Sequence, residues 1–325
     1  MGTRIKLPIV IVMPVYEDCK SASRLLRDLA AHFPGAPHIV AVDDGSARDQ
    51  LQASDISDAG LDGDVVHLVR NMGHQRAIAT GLAYVNLHFD PGAVVVMDAD
   101  GEDRPDAIPP LLRELETANV DVVVAIRRKR RESLQFRVFY ILYRFIFQAL
   151  TGRSIRFGNF IALSGFAVRR LAAMQEMWVH FAASLLVSRL RIGAVPTDRG
   201  KRYFGGSHMD FSSLMLHGLR SIIVFADDVL VRVGLLSMVL AGLAIALLFV
   251  PLALKLMDFA TPGWFSIASG ILILIVMQAV GLTFATLMVS GIMRSAPPIT
   301  RPQLDLLIER VESTARRAQT PIVAE

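Results

Sequence analysis

From residue 264 to residue 293 the chain carries no charged side chain, and from 233 to 257 it carries only Lys255. At a rise of about 1.5 Å per residue, a helix over either run spans the roughly 30 Å hydrocarbon core of a bilayer. A soluble core rarely holds apolar helices of that length, so the pair predicts a two-helix transmembrane hairpin. The link, residues 258–263, is too short for anything but a reversal and has no Lys or Arg, whereas Arg220, Arg232, Arg294 and Arg301 flank the other ends. By the positive-inside rule both termini and the N-terminal domain are expected in the cytoplasm and the link outside, as in a multi-pass protein of the cell (inner) membrane. Gly242 and Ala246 form a small-xxx-small pair that can support packing of the two helices.

The 53% hydrophobic content and mean hydropathy of +0.44 are concentrated after Val233. The expected layout is a cytoplasmic domain over residues 1–206, a juxtamembrane amphipathic helix over 207–232, the two spans, and a cytoplasmic tail over 294–325. A net charge of +4 suits either nucleic acid or an anionic membrane surface. No basic-aromatic reading motif or zinc-ligand spacing supports the first, so the membrane is the expected partner and nucleic acid is not. The single cysteine, Cys19, excludes an intrachain disulfide and fits a reducing compartment. Arg4 and Lys6 precede a short apolar run with two prolines and no cleavage-site pattern, which reads as a first strand rather than a signal peptide.

Residues 7–126 alternate short apolar runs with helical patterns. Strands are expected over 7–13, 38–42, 65–69, 93–97 and 120–125, and helices over 22–33, 74–87 and 106–118. The strands are rich in Val and Ile with little alternation, as in parallel strands buried on both faces. The βα alternation implies a doubly wound α/β sheet, whose ligands bind at the carboxyl ends of the strands. Those ends hold Tyr16, Glu17 and Asp18, then Asp43 and Asp44, Arg70 and Asn71, the run from Asp98 to Asp103, and the run from Arg127 to Arg131.

A helix over 134–150 places Leu134, Val138, Ile141, Leu142 and Phe145 on one face and Arg137, Arg144 and Gln148 on another. No acidic residue occurs between Ser133 and Gln175. Such a basic, aromatic-rich helix suits a lipid interface, although a helix of the domain core has the same pattern. Residues 209–231 form a second amphipathic candidate, and the tail carries Leu304, Leu307, Ile308 and Val311 on one stripe. That stripe can dock on the domain or on another subunit, which leaves a homo-oligomer open.

Carboxylates at Asp98, Asp100 and Glu102 leave the fourth strand at i, i+2 and i+4. Their mutual repulsion calls for a cation, and oxygen donors select a hard one, Mg2+ or Mn2+. A metal there can bridge the phosphates of a nucleotide diphosphate. Tyr16, Glu17, Asp43 and Asp44, at neighbouring strand ends, can stack on a nucleobase and accept from base and ribose donors.

The series PVYED, VDDGS, RNMGHQRAIATGL and VVVMDADGED resembles the inverting, family-two glycosyltransferases of GT-A fold. Within them the chain is most similar to the polyprenyl-phosphate sugar synthases, the group of dolichol-phosphate mannose synthase and the bacterial undecaprenyl-phosphate glucosyltransferases. The resemblance implies a hexosyltransferase that moves a glucose-like sugar from a nucleotide-sugar donor to a polyprenyl-phosphate lipid for cell-envelope modification. It implies that Pro14, Tyr16, Glu17 and Asp43 or Asp44 hold the nucleoside. It also implies that Asp98 and Asp100 hold the metal and diphosphate with Ala99 between them in the nucleotide-sugar contact, and that Arg127 and Arg202 contact phosphates. The family's Arg-x-x-Gly-x-Ser-Lys pattern here runs from Arg202 to His208, so a partly charged ring replaces the last Lys, and Glu102 stands where the family often has Gln.

A lipid phosphate is an anionic nucleophile that needs positioning more than a strong base. Arg127, Arg131 and Arg137, between the acidic turn and the interfacial helix, are the candidate phosphate contacts, so Asp100, Arg127 and Arg131 form the expected catalytic set. Two rival readings stand beside this one: a membrane glycosyltransferase acting directly on a glycan or glycolipid, and a catalytically inactive membrane scaffold. A processive polysaccharide synthase would carry Gln-x-x-Arg-Trp, and the nearest match, from Gln175 to Trp178, lacks the Arg.

Overall fold

The structure is a computed structural model that describes residues 4–33, 37–127, 134–155, 157–205, 211–259, 261, 263–294 and 301–314. It forms two compact units. Met1–Phe139, Ile155–Val224 and Pro298–Glu325 make the first, and Tyr140–Ser154 with Phe225–Pro297 make the second.

The chain begins with β1 (Ile5–Val15), α1 (Cys19–His32), β2 (His38–Asp43), α2 (Ala53–Asp58) and β3 (Asp62–Leu68). It continues with α3 (His74–His88), β4 (Phe89–Val96), α4 (Ile108–Thr117), β5 (Val122–Arg127) and α5 (Leu134–Thr151). Next come β6 (Ile161–Ser164), α6 (Gly165–Ala172), α7 (Phe181–Val187), β7 (Ile192–Thr197) and α8 (Phe211–Ile223). The remaining elements are α9 (Ala226–Leu247), α10 (Phe249–Leu256), α11 (Trp264–Arg294), α12 (Arg301–Asp305) and β8 (Ile308–Ser313).

The strands of the first unit form one sheet in the order β7-β5-β6-β4-β1-β2-β3-β8. The five strands expected from the sequence are β1 to β5, and β1 pairs in parallel with both β2 and β4, as β2 does with β3 and β5 with β7. Two strands run the other way. β6 is wedged antiparallel between β4 and β5, and β8 lies antiparallel on β3 at the sheet edge.

Successive residues of the central strands face opposite layers. Val10, Val12, Val40, Val42, Val94 and Val96 pack with residues of α3, α6 and α7. Ile11, Met13, Ile39, Ala41 and Val95 pack with α1, α2 and α4. Both faces are therefore dry, which explains the unbroken apolar runs. Asp18 caps α1 by accepting from the Ser21 N–H, and Ala22, Leu25, Leu26 and Leu29 then form its buried stripe. Helix α3 lies flush on the sheet: a Cβ at Gly81 would come within 2.6 Å of Val12 Cγ1 and 2.9 Å of Val42 Cγ2. These alternating layers, with the acidic turn after β4 at the carboxyl edge, are the mostly parallel GT-A architecture.

The tail docks on the domain of its own chain. Val311 pairs with Val66, Leu304 is buried, and Leu307 and Ile308 pack on the layer that contains α3.

In the second unit α9 and α11 pack along each other. The segment 226–256 and the segment Trp264–Val289 are long and apolar enough to cross a membrane, with mean hydropathies of 2.7 and 2.3. Only 22% and 11% of their most apolar windows are buried, so most of their apolar surface is left uncovered among the described residues. Leu236, Val239 and Leu243 on α9, and Ile267, Ile271 and Phe284 on α11, are exposed. The seam differs from the sequence expectation. Gly234, Ser237, Ala241 and Ala244 are its buried small residues, whereas Gly242 and Ala246 face outward.

The amphipathic stretch expected over 209–231 is divided by a break at Val224 and Phe225, so α9 begins at Ala226, ahead of the first apolar residue of the predicted span. Asp227 and Asp228 occupy its first turn, where the helix dipole favours acidic groups. The second half of α5 joins this unit. Phe147 meets Phe225 edge-on at 5.6 Å, and Arg232 donates to the Ala149 carbonyl at 3.1 Å, while Phe145 and Ile146 are exposed.

Candidate active site

The site lies in the first unit, where β1, β2 and β4 end beside one another. Pro14 is buried in β1 opposite Val42, and Tyr16 emerges just beyond it, half-exposed. Glu17 follows with φ of +48° and accepts from the N–H groups of Ala47, Arg48 and Asp49 at 2.8, 3.2 and 3.0 Å. The Ala47 bond is the main cause that holds its carboxyl below the usual range. Glu17 thus shapes the loop after β2 from the other side of the cleft.

Asp43 and Asp44 are both buried. Asp43 Oδ1 accepts from the Ser46 N–H at 3.2 Å, and its Oδ2 lies 2.9 Å from His67 Nδ1. Asp44 accepts from the N–H groups of Met72 and Gly73 at 2.7 and 2.9 Å, which fixes the entry to α3. Burial pushes its pKa up despite those bonds.

The acidic turn after β4 is strapped by the segment from Arg199 to Tyr203. Gly200 N–H donates to the Glu102 carbonyl at 2.8 Å and Tyr203 N–H to the Asp100 carbonyl at 2.9 Å. Gly101, at φ of +87°, lies under the Tyr203 ring, which a Cβ there would approach to 2.5 Å. The Tyr203 hydroxyl donates to Asp28 at 2.5 Å, and desolvation with that partner raises its pKa.

Within the turn, the Asp103 carboxylate accepts from the Asp98 N–H at 2.9 Å, and Asp100 Oδ1 accepts from the Glu102 N–H at 2.9 Å. Arg202 contacts Asp100 Oδ2 at 2.7 Å, and Arg199 pairs with Glu102. Desolvation, reinforced by the charges of Asp98 and Glu102, raises the pKa of Asp100. The turn therefore gathers more negative charge than its own backbone offsets, and its donors are all carboxylate oxygens. That set fits a hard divalent cation at Asp98 and Asp100. Glu102 is turned toward Arg199 and Arg202, and no group of three metal-type side chains is gathered among the described residues.

The structure adds residues that the motifs did not single out. His74, at the first turn of α3, lies 3.2 Å from Asp98 Oδ1. Desolvation works to lower its pKa, but Asp98, Asp103 and Asp44 outweigh it and leave it raised. Arg199 and Tyr203 were also outside the expected set. The main chain of Arg127 ends β5 opposite Thr197, and Arg137 lies in the first half of α5. Ala99 is buried inside the turn. Arg131 and His208 lie outside the described residues.

A family model, glycosyl transferase family 2, matches residues 10–178, just over half of the chain. An undecaprenyl-phosphate 4-deoxy-4-formamido-L-arabinose transferase of Sodalis glossinidius is 26% identical over 299 residues, covering 87% of this chain and 88% of that protein. A protein of the same name from Salmonella paratyphi A is 24% identical over 287 residues, covering 84% and 85%. Among solved structures, glucosyl-3-phosphoglycerate synthase from Mycobacterium tuberculosis, in complex with Mn2+, UDP and glucosyl-3-phosphoglycerate, shares the fold. Its TM-score is 0.51 at 17% identity, over 69% of this chain and 80% of that one. The match spans the strands whose ends build the acidic turn and the cleft beside it, and on that ground the chain belongs to glycosyl transferase family 2 and is a glycosyltransferase.

Proposed function

We propose that this protein transfers a sugar from a nucleoside-diphosphate donor to the phosphate of a polyprenyl (undecaprenyl) lipid at the cytoplasmic face of the inner membrane. The observation that carries the reading is the Asp98–Asp100 turn at the end of β4, with Arg202 laid across it. A diphosphate needs cationic contacts, and a turn that already draws an Arg to each of two carboxylates is built for charge exchange with one. The lipid acceptor is supported by the names of relatives that align over more than four-fifths of the chain, and by apolar helices with exposed faces.

In this reading Asp98 and Asp100 hold Mg2+ or Mn2+, which neutralises the departing diphosphate when bound. Tyr16 supplies an exposed ring for the base, and the loop anchored by Asp43 and Glu17 receives the nucleoside. Arg202 exchanges Asp100 for a phosphate oxygen. The acceptor phosphate oxygen attacks the anomeric carbon as its bond to the diphosphate breaks, and Arg127, Arg131 and Arg137 orient that phosphate. Helix α5, with Phe145 and Ile146 exposed, rests in the lipid interface, and α9 to α11 cross the bilayer.

The test uses purified full-length protein, undecaprenyl phosphate, Mn2+ or Mg2+, and a donor panel that includes UDP-glucose and UDP-4-deoxy-4-formamido-L-arabinose. Mass measurement of the lipid fraction is expected to show one glycosylated phosphate, and the donor that yields it decides between a glucose-type hexose and the pentose of the named relatives. Absence of product on the lipid, with transfer to a soluble glycan, would overturn the acceptor. Asp100→Asn should lower turnover about a hundredfold or more, as expected when a charge-stabilising contact of the transition state is lost.

A further inference from the structure

We propose that the C-terminal strand is a positioning element for the donor nucleoside: Glu312 and Arg310 hold, through His67 and Gln50, the loop after β2 in the shape that receives it. The proposal rests on the reading of that loop as the nucleoside site.

Two lines of side chains run from β8 to the loop. In one, Glu312 Oε1 lies 3.4 Å from Nε2 of His67, and Nδ1 of the same buried ring lies 2.9 Å from Asp43 Oδ2. The first contact has ion-pair separation without hydrogen-bond alignment, so the ring is held chiefly at Asp43 and faced by Glu312. In the other, Arg310 donates to Gln50 Oε1 at 3.2 Å, and Gln50 Nε2 donates to the Ser46 carbonyl at 2.6 Å. Glu312 also accepts from the Ala53 N–H at 3.3 Å and from Arg310 Nε at 3.1 Å, which ties the two lines together.

Their end points are Asp43 and Ser46, the residues that frame the turn after β2, and Ser46 itself accepts from the Glu17 N–H at 2.8 Å. The strand's own anchorage is separate. Leu304 and Ile308 pack in the core, Ser313 donates to the buried Asp64 at 2.6 Å, and Thr314 N–H donates to the Gly63 carbonyl at 3.0 Å. A strand needed only to cover the edge of β3 is served by these contacts and by the ladder. Arg310 and Glu312 instead reach over the edge toward the loop.

The experiment measures binding of UDP, GDP and CDP to the full-length protein in detergent with Mn2+, by calorimetry, alongside donor KM, kcat and the thermal midpoint. Arg310→Met and Glu312→Ala should each weaken the preferred diphosphate by about three- to tenfold, the net scale of one hydrogen bond. KM should rise by the same factor while kcat at saturating donor and the thermal midpoint stay near wild type. Glu312→Gln, which keeps an acceptor for the Ala53 N–H, should restore most of the affinity. Unchanged affinity in Arg310→Met and Glu312→Ala, while Asp43→Asn weakens binding, would overturn the positioning role and leave the donor site standing. Affinity that is also unchanged in Asp43→Asn would overturn the nucleoside reading of the loop and this proposal with it. Loss of affinity that follows the thermal midpoint, without rescue by Gln, would reduce the strand to packing and overturn the proposal as well.

Discussion

Glu17 accepts three successive backbone N–H groups of a loop that belongs to another strand end, so its charge stabilises the shape of the cleft before any ligand arrives. Because its folded pKa lies below the ordinary value of 4.5, that stabilisation is complete above this pH and is lost as pH falls through the folded value. Glu17→Gln should therefore have a lower thermal midpoint than wild type at pH 7, and the gap should narrow as the pH is lowered below 4.5. A gap that stayed constant with pH would show that the charge is not what matters. The same residue shows what the sequence could disclose about the site. The motifs placed carboxylates at the right strand ends, because strand ends and acidic turns are local. They could not show which lone pairs were already engaged, because the partners of Glu17 and Asp44, and the His67 partner of Asp43, lie on other segments. His67 was hidden for a related reason: it is the one polar side chain in the apolar run 65–69, and its importance comes from Asp43 and Glu312, far from it in the chain.

At the scale of elements, α3 lies tight against the sheet. Gly81 lets it approach β1 and β2 so closely that any added carbon collides with two buried valines. Gly81→Val should cost about 1–3 kcal/mol through overpacking, read as a fall in the denaturation midpoint. It should also disturb the site, because the first turn of α3 carries His74 toward Asp98. The strands buried on both faces, β1 to β5, were legible as Val- and Ile-rich runs. The strands β6, β7 and β8 were not. β6 has four residues, β7 contains a Pro, and β8 sets three charged residues, Glu309, Arg310 and Glu312, among two apolar ones, as an edge strand does. The stripe Leu304, Leu307, Ile308 and Val311 suggested helical spacing, yet it divides between the short α12, a turn and a strand. Likewise, Gly242 and Ala246 have the spacing of a packing motif, but periodicity alone does not select which side of a uniformly apolar helix meets its neighbour.

The whole molecule joins an α/β sheet to long apolar helices within one chain, and the proposed orientation rests on the Arg residues that flank those helices. A cysteine at position 261 in Thr261→Cys should react with an impermeant thiol reagent in intact cells, while Cys19 should react only after permeabilisation. The reverse pattern would invert the proposed topology. The placement of β8 also sets an order of manufacture. Seven strands leave the ribosome ahead of the apolar helices and the eighth leaves after them, yet the eighth covers the edge of β3. Until β8 has been made, the nascent chain therefore presents an open row of backbone donors and acceptors along β3, the kind of surface that recruits chaperones or neighbouring chains. Sealing that edge must follow synthesis of the apolar helices, so a sealed sheet marks a molecule whose apolar helices have already been made.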